Sequence, residues 1–111
     1  MARILVVEDD AGQLEIRKQI LEQAGYEVAA AQSADDALLL LAGCQIVLMD
    51  LRLPSLQDGL RLIRAASGHA RIIVLSGAET EVELHVDEFL TKPFSSRKLL
   101  ETIAKWTSAS K

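Results

Sequence analysis

Ile46-Val47-Leu48-Met49-Asp50 is the stretch whose reading decides the fold of this chain. Four apolar residues in a row end in a carboxylate. The run is bounded by Cys44-Gln45 and by Pro54, and its length predicts a strand over 45–50 buried on both faces. Such a strand has no structural use for an acid at its end, because an ionised carboxylate is costly to bury without a partner. Asp50 is therefore either a strand end already in solvent or the centre of a site. Taken alone, the first reading is the default.

Three other apolar runs end in polar residues that suit one chemistry. Ile4-Leu5-Val6-Val7 runs into Glu8-Asp9-Asp10. Ile72-Ile73-Val74-Leu75, the body of a strand over 71–76, runs into Ser76-Gly77. Glu88-Phe89-Leu90-Thr91 runs into Lys92-Pro93. A weaker strand is expected over 26–31. Between the strands the apolar spacing turns helical. Leu14, Ile16, Ile20, Leu21 and Ala24 mark a first helix closed by Gly25. Ser33-Ala34-Asp35-Asp36 resembles an N-cap with an acid three residues on, opening a helix over 34–42. Pro54 to Gly59 reads as loop, and Leu60, Leu62, Ile63 and Ala66 as a helix ending near Ser67-Gly68. Pro93 breaks the chain. Ser95 or Ser96 then opens a last helix carrying Leu99, Leu100, Ile103 and Trp106, with a frayed tail from Thr107.

Apolar strands alternating with helices predict a parallel sheet covered on both faces. Five strands suit a flavodoxin-like, doubly wound α/β fold of strand order 2-1-3-4-5. The connection over 77–87 is the exception. A parallel crossover needs at least roughly 10–12 residues including its helix, so this one sits at the minimum. Val82, Leu84 and Val86 alternate with Glu81, Glu83, His85 and Asp87, a period of two rather than 3.6. The fourth helix is therefore expected to be short or missing, at most about one turn.

Composition narrows the function. A chain of 111 residues, half hydrophobic and one quarter charged, is one globular domain. A formal charge of -4 argues against a nucleic-acid footprint. One cysteine, Cys44, rules out an intrachain disulfide and a cysteine-based metal cluster, and reads as a small buried hydrophobe. No apolar stretch is long enough to span a membrane, and the N-terminus is no signal peptide. A cytoplasmic location is expected.

In a parallel sheet all four strand ends share one rim, where ligands of such sheets bind. Glu8, Asp9 and Asp50 crowded together repel, and a bound divalent cation relieves that. Oxygen ligands without His or Cys select a hard ion, Mg²⁺ first. Lys92 and the Ser76 hydroxyl are superfluous for a bare cation. They suit a phosphoryl group, whose oxygens both can meet. Together these residues describe phosphoryl transfer to an aspartate. Each feature has a plainer reading alone. Glu8 and Asp9 could cap the first helix, as Asp10 is expected to do. Lys92 could be a loop lysine, Ser76 a turn residue, and Phe89 plain core. His69 and His85 read as surface histidines. The coincidence of all four strand ends favours the site.

The chain resembles the receiver domains of two-component response regulators. The resemblance rests on Ile4-Leu5-Val6-Val7-Glu8-Asp9, Val47-Leu48-Met49-Asp50 with Pro54 and Gly59, Ile73-Val74-Leu75-Ser76-Gly77, and Phe89-Leu90-Thr91-Lys92-Pro93-Phe94, in that order. It implies that Asp50 accepts a phosphoryl group from a histidine kinase or a histidine phosphotransfer protein. It implies Mg²⁺ held by Asp9, Asp50 and the backbone carbonyl of Arg52, with Glu8 reaching it mainly through water. Ser76 and Lys92 would contact the phosphoryl oxygens, and Ser76 with Phe89 would form the switch. Pro54, Gly59, Gly77 and Pro93 are the expected loop and turn positions.

There are departures. Gly59 lies one residue further from Asp50 than is usual, Gly77 replaces a common Ala, and Arg52 stands where receivers vary. Output is expected through contacts with an unknown downstream protein, with no attached effector domain, no nucleic acid and no membrane. A homodimer is compatible with the sequence. The alternative is a receiver-like binding module whose output ignores phosphorylation; an intact Asp50 and Lys92 weigh against it. An aspartate-nucleophile phosphohydrolase would need a further acid where Arg52 stands, so no enzymatic activity is expected beyond self-phosphorylation and autodephosphorylation.

Overall fold

The computed structural model describes residues 2–77 and 85–109. The elements run β1 (Arg3–Val7), α1 (Ala11–Gln23), β2 (Glu27–Ala31), α2 (Ala34–Leu40), β3 (Ile46–Asp50), α3 (Leu56–Ala66), β4 (Arg71–Ser76), β5 (Glu88–Thr91) and α4 (Ser96–Ala109). The five strands form one parallel sheet in the order β2-β1-β3-β4-β5. This is the flavodoxin-like order expected from the alternating runs. β3 is central and every one of its residues is buried, as its unbroken apolar run requires.

Strand periodicity sorts the core into two layers. Leu5, Val7, Val47, Met49, Ile72 and Val74 face α2 and α3, where they pack with Ala34, Ala37, Leu62 and Ala66. Ile4, Val6, Ile46, Leu48, Ile73 and Leu75 face α1 and α4, with Leu14, Leu21, Leu99 and Ile103. Continuing the alternation by one step puts Glu8 and Asp50 on the side of α1 and α4. That placement decides what the two acids meet.

The helices begin where their caps allow. Asp10 Oδ1 accepts from Gln13 N, Ser33 Oγ from Asp36 N, Ser55 Oγ from Asp58 N and Ser95 Oγ from Lys98 N, so each side chain satisfies one otherwise unpaired amide of a first turn. Asp10 is thus the cap it was expected to be. Gly25 follows α1 at φ +97°, a conformation open to glycine. Cys44 is buried, with Sγ on the Leu40 carbonyl at 3.3 Å.

Three helix boundaries differ from the sequence reading. The loop expected over Pro54–Gly59 ends early, because Ser55 caps α3 and Gly59 lies inside the helix. α2 stops at Leu40, and α4 continues past Thr107 to Ala109. In α1 the buried stripe is Leu14, Arg17 and Leu21, whereas Ile16 is 54% exposed. The expected loss or shortening of a helix between β4 and β5 falls mainly on residues 78–84, outside the described residues.

Candidate functional site

All four polar strand ends do meet on one rim. Val7 pairs with Met49 in register, Asp50 with Leu75, and Ser76 with Thr91. Glu8 extends the edge of β1, its amide donating to the Ala31 carbonyl at 3.0 Å. Lys92 follows β5 directly, its amide donating to the Ser76 carbonyl at 2.6 Å. The Lys92 ammonium reaches back to Asp50 Oδ1 at 2.5 Å.

The other Asp50 oxygen has a partner that sequence reasoning missed. Arg17 projects from α1 into the rim, and its Nη1 donates to Asp50 Oδ2 at 3.2 Å and to Glu8 Oε1 in a short ion pair. Arg17 is only 6% exposed. The Phe94 ring lies against it, with the guanidinium carbon 5.9 Å from the ring centroid. A signal for it existed in the chain. Position 17 stands three residues after Leu14 and four before Leu21, on the stripe that a helix turns inward. A charged residue there has to meet counter-charges or leave the stripe.

The three acids expected to crowd together differ in burial. Glu8 is 4% and Asp50 8% exposed, while Asp9 lies exposed at the rim. No group of three acid, His or Cys side chains is arranged to hold a metal among the described residues. Among the described residues, an arginine bridges the two buried acids.

The charges explain the titration of the pair. Burial, and then the neighbouring Asp50 carboxylate, push Glu8 up to about 7. Burial also opposes ionisation of Asp50, but the Glu8 hydrogen bond, the Lys92 ammonium and Arg17 outweigh it and hold Asp50 below the usual aspartate range. Asp50 is therefore ionised at neutral pH.

The remaining predicted residues are dispersed around this centre. Ser76 is half-buried at the end of β4, beside Thr91. Phe89 on β5 is 39% exposed, so its ring stands outward rather than in the core. Arg52 and Pro54 are exposed in the loop after β3, and Leu53 is fully buried beneath them. Gly59 is buried because α3 passes the chain after Asp50 so closely. A Cβ there would lie 1.7 Å from the Leu51 carbonyl oxygen. Gly77 is exposed, with nothing among the described residues within 4 Å of an added Cβ, and Pro93 turns the chain into α4.

A parallel sheet of this order, carrying an ionised aspartate, a lysine and a hydroxyl on its carboxyl rim, defines a phosphoacceptor signalling module. The chain belongs to the response regulator receiver domain family, whose model matches residues 4–104. It is similar to the transcriptional regulatory protein AruR of Pseudomonas aeruginosa, at 34% identity over 113 residues covering 88% of this chain and 46% of that protein. The chain thus spans about half the length of the curated relatives it matches. Among solved structures, a CheY-like response regulator receiver domain protein of Methanospirillum hungatei is 31% identical, with a TM-score of 0.83 and coverage of 95% and 92% of the two chains. A response regulator receiver domain protein of Clostridium thermocellum is 27% identical, with a TM-score of 0.81 and coverage of 98% and 96%.

Proposed function

We propose that Asp50 is the phosphoacceptor, taking a phosphoryl group from a phosphohistidine on a histidine kinase or a histidine phosphotransfer protein. The observation that carries this reading is the contact of Asp50 Oδ1 with the Lys92 ammonium at 2.5 Å, at the carboxyl ends of neighbouring parallel strands. A carboxylate oxygen of Asp50 attacks phosphorus, the O–P bond forms as the N–P bond breaks, and the imidazole leaves with the electron pair. Lys92 offsets the charge on the phosphoryl oxygens, and the Ser76 hydroxyl donates to one of them. Phe89 responds to that hydrogen bond of Ser76, and an unknown downstream protein reads the change at β5 and α4.

The oxygen-only donor set fits Mg²⁺ in kind: Asp9 is exposed at the rim, Asp50 is ionised, and the Arg52 carbonyl lies in the loop between β3 and α3. Glu8 would reach the ion through water. When bound, Mg²⁺ would neutralise charge gathering on the transferring group. The reading includes no turnover of external substrates beyond self-phosphorylation and autodephosphorylation. It also includes a cytoplasmic location, in keeping with the single cysteine.

The test is incubation with acetyl phosphate and Mg²⁺, read by intact mass. The wild-type chain is expected to gain one phosphoryl group and Asp50→Asn none. Undiminished labelling of Asp50→Asn refutes the assignment.

A further inference from the structure

We propose that Arg17 is a built-in counter-cation of the acidic rim, holding the Glu8 and Asp50 oxygens that a divalent ion would otherwise claim, so that metal binding requires its release. This rests on the reading of Asp50 and Mg²⁺ given above.

Four observations carry it. Arg17 is the one charged residue on the buried stripe of α1. Its Nη1 bridges both buried carboxylates, with Asp50 Oδ2 at 3.2 Å. Lys92 holds the other oxygen of Asp50. Two acids therefore face two cations before any metal arrives, with Asp9 exposed beside Glu8 at the rim.

Coulomb's law sets the consequence. Mg²⁺ needs oxygen ligands at roughly 2.0–2.1 Å, so it and a guanidinium on the same oxygens stand within a few ångströms of each other. A single charge against a double one at about 4 Å disfavours binding by roughly tenfold or more even at the dielectric of water. Either Arg17 swings toward solvent through the groove between α1 and the start of α4, lined by Ile16, Ile20, Phe94 and Leu99, or the metal binds weakly. The unphosphorylated chain thus rests in a state with both oxygens of its nucleophile covered. Metal, or a partner docking on that groove, must uncover it.

The experiment titrates Mn²⁺, a surrogate for Mg²⁺, into the wild type and into Arg17→Gln, Arg17→Lys and Asp50→Asn. Free ion is read by electron paramagnetic resonance. Arg17→Gln keeps a side chain able to donate to Glu8 but removes the charge, and is expected to bind at least about tenfold tighter. Arg17→Lys restores the charge and is expected to stay close to the wild type, an outcome a purely structural role would not produce. Equal or weaker binding by Arg17→Gln, with Asp50→Asn still abolishing it, overturns this proposal and leaves the site reading intact. No binding by any of the four removes the metal site and this proposal together.

If Arg17→Gln does not fold, the wild type supplies the answer. The Arg17 Nε–H resonance is expected to shift and to exchange faster with water as Mg²⁺ saturates. A resonance unmoved at saturation refutes the proposal.

Discussion

Gly59→Ala sets two forces against each other inside α3. Propensity alone favours the substitution, because alanine is better than glycine in a helix interior by about 1 kcal/mol. The tertiary contact opposes it. The added Cβ would lie 1.7 Å from the Leu51 carbonyl oxygen and 2.8 Å from its carbon. Real Cβ atoms do not approach backbone so closely, and no flexible side chain is available to yield. Either α3 or the chain after Asp50 has to move by more than an ångström. Overpacking costs roughly 1–3 kcal/mol, and a backbone collision belongs at the upper end. Subtracting the propensity gain leaves a net loss of about 2 kcal/mol. For a domain of this size about 1 kcal/mol moves the thermal midpoint by roughly 4–8 °C, so the midpoint is expected to fall by roughly 8–16 °C. Thermal unfolding followed by circular dichroism, checked by urea titration, measures it. Gly77→Ala is the matched comparison. A Cβ there meets nothing within 4 Å among the described residues, and the expected change is neutral to a gain of about 1 kcal/mol through the unfolded chain. A midpoint for Gly59→Ala equal to or above the wild type refutes the packing argument. It would also show that the Leu51–Arg52 loop can shift without cost.

Further outcomes follow from other contacts. Leu48→Ala empties the centre of β3, where the side chain is fully buried, and urea unfolding is expected to show a loss of about 2–5 kcal/mol. Ser33→Ala removes the acceptor for the Asp36 amide at 3.1 Å, and the same titration should show about 1 kcal/mol lost. Glu88 accepts from Trp106 Nε1 at 2.7 Å and pairs with Lys105 at 3.0 Å; burial opposes its ionisation, but these partners outweigh it and hold the carboxyl below its usual 4.5. Because the folded value is depressed, its share of stability is present above pH 4.5 and lost as pH falls through the folded value. Trp106 is the only tryptophan, so its emission is expected to titrate below pH 4.5, and Glu88→Gln to abolish that step. Lys92→Ala removes one of the two cations on Asp50 and is expected to slow labelling by acetyl phosphate, measured by intact mass over time, with the fold retained.

The sequence by itself determined most of the scaffold. Three unbroken apolar runs, at 4–7, 46–49 and 72–75, specify strands buried on both faces, and period-two alternation assigns their side chains to layers. Caps such as Ser33 and Asp10 are local events, with donor and acceptor three residues apart, so they are readable without a fold. The same is true of the strand ends: once the sheet is parallel, Glu8, Asp50, Ser76 and Lys92 must share a rim. What the tertiary structure decided depends on contacts between distant segments. Gly59 sits within a helix rather than a loop, because only the approach of Leu51 explains a glycine there. Arg17 was only half legible for a related reason. Its spacing from Leu14 and Leu21 puts it on the inward stripe, but that inward turn is stable only because β1 and β3 end in carboxylates beside α1. Pairing of buried charges is a property of where elements converge. The sequence supplied the acids and the arginine nine residues from the nearer of them, Glu8, and thirty-three from Asp50, and folding alone brought the three together.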